Sequence, residues 1–106
     1  MLTIVETPLF RQRVSDYWTE NERGEFFSWL AQHPDSGDIV PGSGGYRKAR
    51  WKRQGSGKSG GVRVIYYNRL ANGEIWLLTI YAKSVQENIP AHTLKAIKEA
   101  IDHAED

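Results

Sequence analysis

Two nine-residue runs constrain this chain more than any other feature: Val62–Leu70 (VRVIYYNRL) and Glu74–Ala82 (EIWLLTIYA). Both are rich in β-branched and aromatic residues and apolar at nearly every position, the pattern of strands covered by other elements. Asn72-Gly73 between them is a type I′ hairpin signal, so the two strands are expected to pair antiparallel at the centre of a sheet with helices on one face. Arg63 breaks the apolar pattern, on the same side of its strand as Ile65 and Tyr67. An arginine there either makes a structural salt bridge or is aimed at a ligand at the edge of the core. The nearest acid in sequence is Glu74, across the hairpin, so both readings stand.

The flanking segments supply the helices. Leu2–Val5 reads as a short first strand. Thr7-Pro8 then reads as a helix cap with proline at the first helical position. Phe10, Val14, Tyr17 and Trp18 recur at helical spacing. Thr19-Glu20-Asn21-Glu22 matches a capping box that opens a second helix near Glu20. That helix carries Phe26, Phe27 and Leu30 inward and stops before His33-Pro34, where His33 is expected to cap or solvate the helix end. From Asn88 a last helix, opened by Pro90, carries the stripe Leu94, Ile97 and Ile101. The expected class is α+β, one domain over residues 1–106: an antiparallel sheet, an N-terminal helical hairpin and a C-terminal helix.

Composition removes several function classes. There is no cysteine, hence no disulfide framework or cysteine zinc site, and the three histidines show no ligand spacing. No metal or cofactor is expected. The N-terminus lacks the pattern of a signal peptide, and no apolar run approaches the ~20 residues of a membrane span. A cytoplasmic protein without membrane partners is expected.

Charge is segregated. The chain carries a net +1, yet Ile39–Gly73 holds no acid, and Gly44–Tyr67 holds seven basic residues: Arg47, Lys48, Arg50, Lys52, Arg53, Lys58 and Arg63. Such a field attracts a polyanion, either nucleic acid or an acidic protein, although an isolated charge run is usually a solvated face. Here Tyr46, Trp51, Tyr66 and Tyr67 are interleaved with the cations, as base-stacking side chains would be. Tyr46–Arg53 has two polar-looking faces, which places it at a rim or facing a groove. Gly57-Lys58-Ser59 invites a phosphate-loop reading. That motif needs glycine at position 52, where Lys52 stands, and a following helix where a strand pattern follows, so it is rejected.

RNA is cut without metal when a base deprotonates the 2′-OH, cations stabilise the phosphorane and an acid protonates the leaving oxygen. The stretch offers no histidine and no carboxylate for this. Lysine, arginine and tyrosine remain: a lysine crowded by cations can serve as base, and arginine can clamp a phosphate with two hydrogen bonds.

The order of elements, with YRKARW, GKSGGVRVIYY and LLTIYAKS, resembles the RelE/ParE superfamily of bacterial toxins, and HigB-type members most of all. The resemblance covers essentially the whole chain and is specific from Gly42 to Lys83. It implies a microbial-ribonuclease-like fold, and a ribosome-dependent endoribonuclease that cuts mRNA and is held by a cognate antitoxin, a helix-turn-helix HigA-like protein. By that resemblance Arg63 holds the scissile phosphate, with Lys58, Tyr81 and Lys83 also catalytic. Arg47, Lys48, Arg50, Trp51, Lys52, Arg53 and Tyr67 would bind nucleic acid. Typical members carry an arginine and a tyrosine after the last strand; here Ser84 stands near the arginine's place and no tyrosine follows. Two alternatives share the pattern: a ParE-like inhibitor of DNA gyrase, and a non-catalytic binder of nucleic acid or an acidic protein.

Overall fold

A computed structural model describes residues 2–52, 61–85 and 89–104. The elements are β1 (Thr3–Glu6), α1 (Pro8–Val14), α2 (Glu20–Gln32), β2 (Asp38–Ile39), β3 (Arg47–Trp51), β4 (Val62–Arg69), β5 (Glu74–Ala82) and α3 (Ala91–Ala104). The five strands form one sheet in the order β1-β5-β4-β3-β2. β2 through β5 pair antiparallel, as expected, and β1 joins the free edge of β5 in parallel. The parallel pair follows from the connection. Leaving β1 at one edge, the chain crosses a face of the sheet through α1 and α2, reaches β2 at the other edge, and meanders back.

Local signals set the helix starts. The Thr7 oxygen accepts from the Phe10 N–H at 3.4 Å with Pro8 at the first helical position. Its hydroxyl lies 2.8 and 2.9 Å from the carbonyls of Leu77 and Leu78, which ties the start of α1 to the middle of β5. Thr19 and Glu22 form both halves of the capping box at α2. α1 is shorter than its apolar spacing suggests, ending at Val14; the N–H of Tyr17 and of Trp18 both close back on the Val14 carbonyl. His33 ends α2, its N–H donating to the Leu30 carbonyl.

Both faces of the sheet are covered, which is why β4 and β5 read as nearly continuous apolar runs. Phe10, Val14, Trp18, Phe26 and Leu30 pack on Ala49, Val62, Val64, Tyr66, Ile75, Leu77 and Ile80 on one face. On the other, Leu94, Ile97 and Ile101 of α3 cover Tyr46, Ile65, Tyr67, Leu78 and Tyr81. A register shift at Ile65/Tyr66 lets one extra residue into β5, and the side chain of the buried Thr79 meets Arg13 of α1 at 3.3 Å. The β4–β5 connection differs from the expected two-residue turn. Leu70–Asn72 form a short 3₁₀ turn, closed by Gly73 in the left-handed region. Asn-Gly still marks the reversal, with only its glycine at positive φ. No helix among the described residues is long and apolar enough to cross a membrane.

Candidate nucleic-acid interface

Strand register sorts the basic stretch into two faces. Arg50 pairs with Arg63 across β3–β4, and Arg63 pairs with Tyr81 across β4–β5, so these three form one row on one face. Lys48, opposite Ile65, lies on that face, and alternation carries Lys52 there too. Lys48, Arg50 and Lys52 are exposed, and Arg63 is half-buried. α3 takes the other end of this face, over Tyr46, Ile65 and Tyr67, and leaves the row at Arg63 as its basic end.

Arg63 donates from its guanidinium to the Val62 carbonyl at 3.1 Å. Glu74 does not reach it. Glu74 lies at the far end of the hairpin opposite Arg69, whose guanidinium it meets at 3.5 Å. The salt bridge considered between Arg63 and Glu74 is therefore replaced by one between Arg69 and Glu74.

Gly61 precedes this strand with φ +73°, and a Cβ there would run into the Trp51 carbonyl oxygen. The missing side chain thus permits close approach of the β3 and β4 backbones. The Lys83 N–H donates to the Gly61 carbonyl at 3.0 Å, and the Trp18 indole N–H donates to the Lys52 carbonyl at 3.1 Å. These contacts fix the ends of β3, β4 and β5 beside Arg63.

Several expected binding residues stand elsewhere. Arg47 lies on the opposite face, its side chain 23% exposed. It donates to the carbonyls of Asp35 and Gly37 and meets the Asp35 carboxylate at 3.6 Å, so it holds the loop before β2 instead of joining the basic face. Trp51 is on that opposite face too, packed on Phe26 and Trp29 with ring centroids 5.3 and 5.0 Å away. Tyr67 is 1% exposed, T-shaped against the equally buried Tyr46 and stacked on Trp76 under α3. Tyr66 is buried as well, its hydroxyl donating to the Pro34 carbonyl at 2.8 Å and accepting from the Gly37 N–H. Tyr46, Tyr66 and Tyr67 build the core and offer no open stacking surface, while Trp51 is half-buried against Phe26 and Trp29. Large rings on a doubly covered sheet are drawn into its layers, an effect that interleaving with cations in sequence does not reveal. Tyr81 is in the row but only 6% exposed. Lys83 is exposed just past β5. Arg53 and Lys58 lie outside the described residues.

The surviving arrangement is a cationic face of Lys48, Arg50, Lys52 and Arg63 with Tyr81 beside it, suited to holding a phosphodiester. A family model described as the RelE toxin of the RelE/RelB toxin-antitoxin system matches residues 34–106, which include every strand from β2 onward and α3. The chain belongs to the RelE toxin family. As a RelE-family toxin it is one half of a toxin-antitoxin pair, and a cognate antitoxin is its expected partner. Among solved structures, the RelE-family chain is similar to a conserved hypothetical protein of Helicobacter pylori, HP0892, known in solution, at 17% identity. The match covers 79% of this chain and 97% of that one, with a TM-score of 0.47.

One part of this RelE-family surface carries no motif in the sequence. Trp29, Ser36 and Asp38 gather with Lys48, Ala49 and Arg50 around a hollow of about 310 Å³ at the outer edge of β3. The available signal was the helical i, i+4 pair Trp29 and His33, whose rings stack at 5.0 Å.

Proposed function

We propose that this toxin is a ribosome-dependent endoribonuclease that cuts mRNA in the cytoplasm and so arrests translation. The observation that carries the reading is Arg50 directly opposite Arg63 on one sheet face, with Lys48 and Lys52 alongside. Like charges paired across strands oppose the fold, and a phosphate bound between them turns that repulsion into binding. Two arginines paired across neighbouring strands suit the pentavalent phosphorane, whose charge exceeds that of the ground-state diester. The exposed ammonium groups of Lys48 and Lys52 extend the field along the RNA backbone.

In this reading Arg63 and Arg50 hold the scissile phosphate, and Tyr81, next to Arg63 in the row, positions Arg63 from a buried site. The open face is small and offers little surface for ordering RNA, so the ribosome presents the mRNA to it. The antitoxin, a helix-turn-helix protein encoded nearby, either covers the cationic face or blocks docking to the ribosome.

Toe-printing of translating ribosomes after induction tests the reading. The expected result is new mRNA 3′ ends within ribosome-bound codons and little cutting of the same RNA without ribosomes. Growth arrest with intact mRNA and inhibited DNA gyrase would overturn it.

A further inference from the structure

β3 outruns its outer neighbour. β2 supplies only two partners, Asp38 for Lys48 and Ile39 for Arg47, so among the described residues no strand flanks the outer edge of β3 beyond Lys48. The hollow of about 310 Å³ opens at this step, at the small end of the range of ligand pockets (about 300–1,000 Å³) and of a size for one nucleotide.

Its lining is chemically mixed. Trp29 is a half-buried wall held on two sides, with the His33 ring stacked at 5.0 Å and the Trp51 ring tilted at 5.0 Å. The His33 Nδ1, 2.9 Å from the Trp29 carbonyl, keeps that stack in place. Lys48 and Arg50 bring two cations from the face that carries Arg63. Ser36 adds a hydroxyl, and Asp38 the one carboxylate of the lining among the described residues. Asp38 meets Arg50 at 4.0 Å, but with side chains 82% and 74% exposed the pair is weak and open to exchange.

We propose that this hollow is a second nucleotide site, which takes the RNA nucleotide beside the one held at Arg63 and favours a base with an exocyclic amino group. The inference rests on the RNA-cutting reading above. Lys48 and Arg50 receive the phosphate. Trp29 walls the base. The Asp38 carboxylate accepts from the amino group of cytosine, adenine or guanine and meets a carbonyl oxygen at the equivalent place on uracil. Single-stranded RNA is recognised this way, by base edges held beside aromatic side chains. Asp38 stands beside both phosphate-binding cations, opposite Lys48 in the β2–β3 register and 4.0 Å from Arg50, on the short outer strand of the sheet.

Cytidine and uridine 5′-monophosphates, and inorganic phosphate alone, are titrated by NMR into the full chain freed from its antitoxin. Cytidine monophosphate is expected to shift the Trp29 indole and the Ser36 and Asp38 amides, and to bind about fivefold more tightly than uridine monophosphate. Asp38→Ala, at an exposed position, abolishes that preference without changing the melting temperature. Equal binding of the two nucleotides overturns the base-selecting site. The same shifts with inorganic phosphate alone overturn it too, leaving a cationic patch only. Ribosome-dependent cleavage is measured on the same preparation. Cleavage without a nucleotide response at Trp29 sinks this site and leaves the RNA-cutting reading intact. A response without cleavage keeps the site and sinks that reading.

Discussion

Arg50 and Arg63 stand directly opposite each other on adjacent strands, on one face of the sheet, with Lys48 and Lys52 on either side of Arg50. A cross-strand pair of like charge works against folding, typically by a few tenths to about 1 kcal/mol. Arg50→Thr keeps a strand-forming residue at an exposed position and removes the repulsion. The variant is expected to unfold at higher denaturant concentration while growth arrest weakens. Opposite movement of the two readouts is the signature of a site built for a bound anion. A variant that is less stable and fully toxic would count against it.

Arg63 is expected to carry more of the chemistry. Arg63→Ala removes a charge-assisted contact to the transition state, of the kind that costs ~3 kcal/mol, or roughly a hundredfold in rate. Arg63→Lys restores charge without the two-pronged geometry and recovers only part of it. Melting curves on the same proteins separate this from a structural role. A folded Arg63→Ala chain with undiminished cleavage would remove Arg63 from the mechanism.

Tyr46 carries a pH prediction. Burial, then the neighbouring Tyr67 and Asp102, push its phenol above the usual tyrosine range. The unfolded chain therefore gives up this proton first. Stability from the protonated phenol is complete below the unfolded value of about pH 10 and falls as pH rises beyond it. The Tyr46 hydroxyl has no hydrogen-bond partner among the described residues. Tyr46→Phe removes a buried polar atom and is expected to be neutral or stabilising by about 1 kcal/mol, with a shallower loss of stability in alkali. Chemical denaturation at pH 7 and near pH 11 reads both effects. A marked loss at pH 7 would mean that the hydroxyl does have a partner.

Thr7 tests the scaffold without touching the site. Its side chain caps α1 and reaches the Leu77 and Leu78 carbonyls of β5. Thr7→Ala is expected to cost about 1–2 kcal/mol of stability. Cleavage per folded molecule should be unchanged at a temperature where the variant stays native. A selective fall in activity would show that α1 bears on the cationic face.

Much of the fold was legible because its signals are local. Thr7-Pro8 and the Thr19–Glu22 box each bring donor and acceptor within one helical turn, so sequence spacing alone marks both helix starts. β4 and β5 announce their burial through their own composition. The sequence also placed Arg63 beside Ile65 and Tyr67, because alternation along one strand needs no partner. Pairing between distant segments decided the rest. Nothing near Leu2–Val5 shows that β1 will lie parallel to β5, since that follows from where the helices deliver the chain. Nor does the stretch Tyr46–Trp51 show which neighbours its two polar-looking sides will meet. Folding placed α2 against one side, which buried Ala49, half-buried Trp51 and tied Arg47 to Asp35. On the other side α3 covered Tyr46 and left Lys48 and Arg50 open. Sequence by itself concentrated the cations on one segment; the β3–β4 register alone set Arg50 against Arg63, because only residues brought together across strands share one electrostatic field.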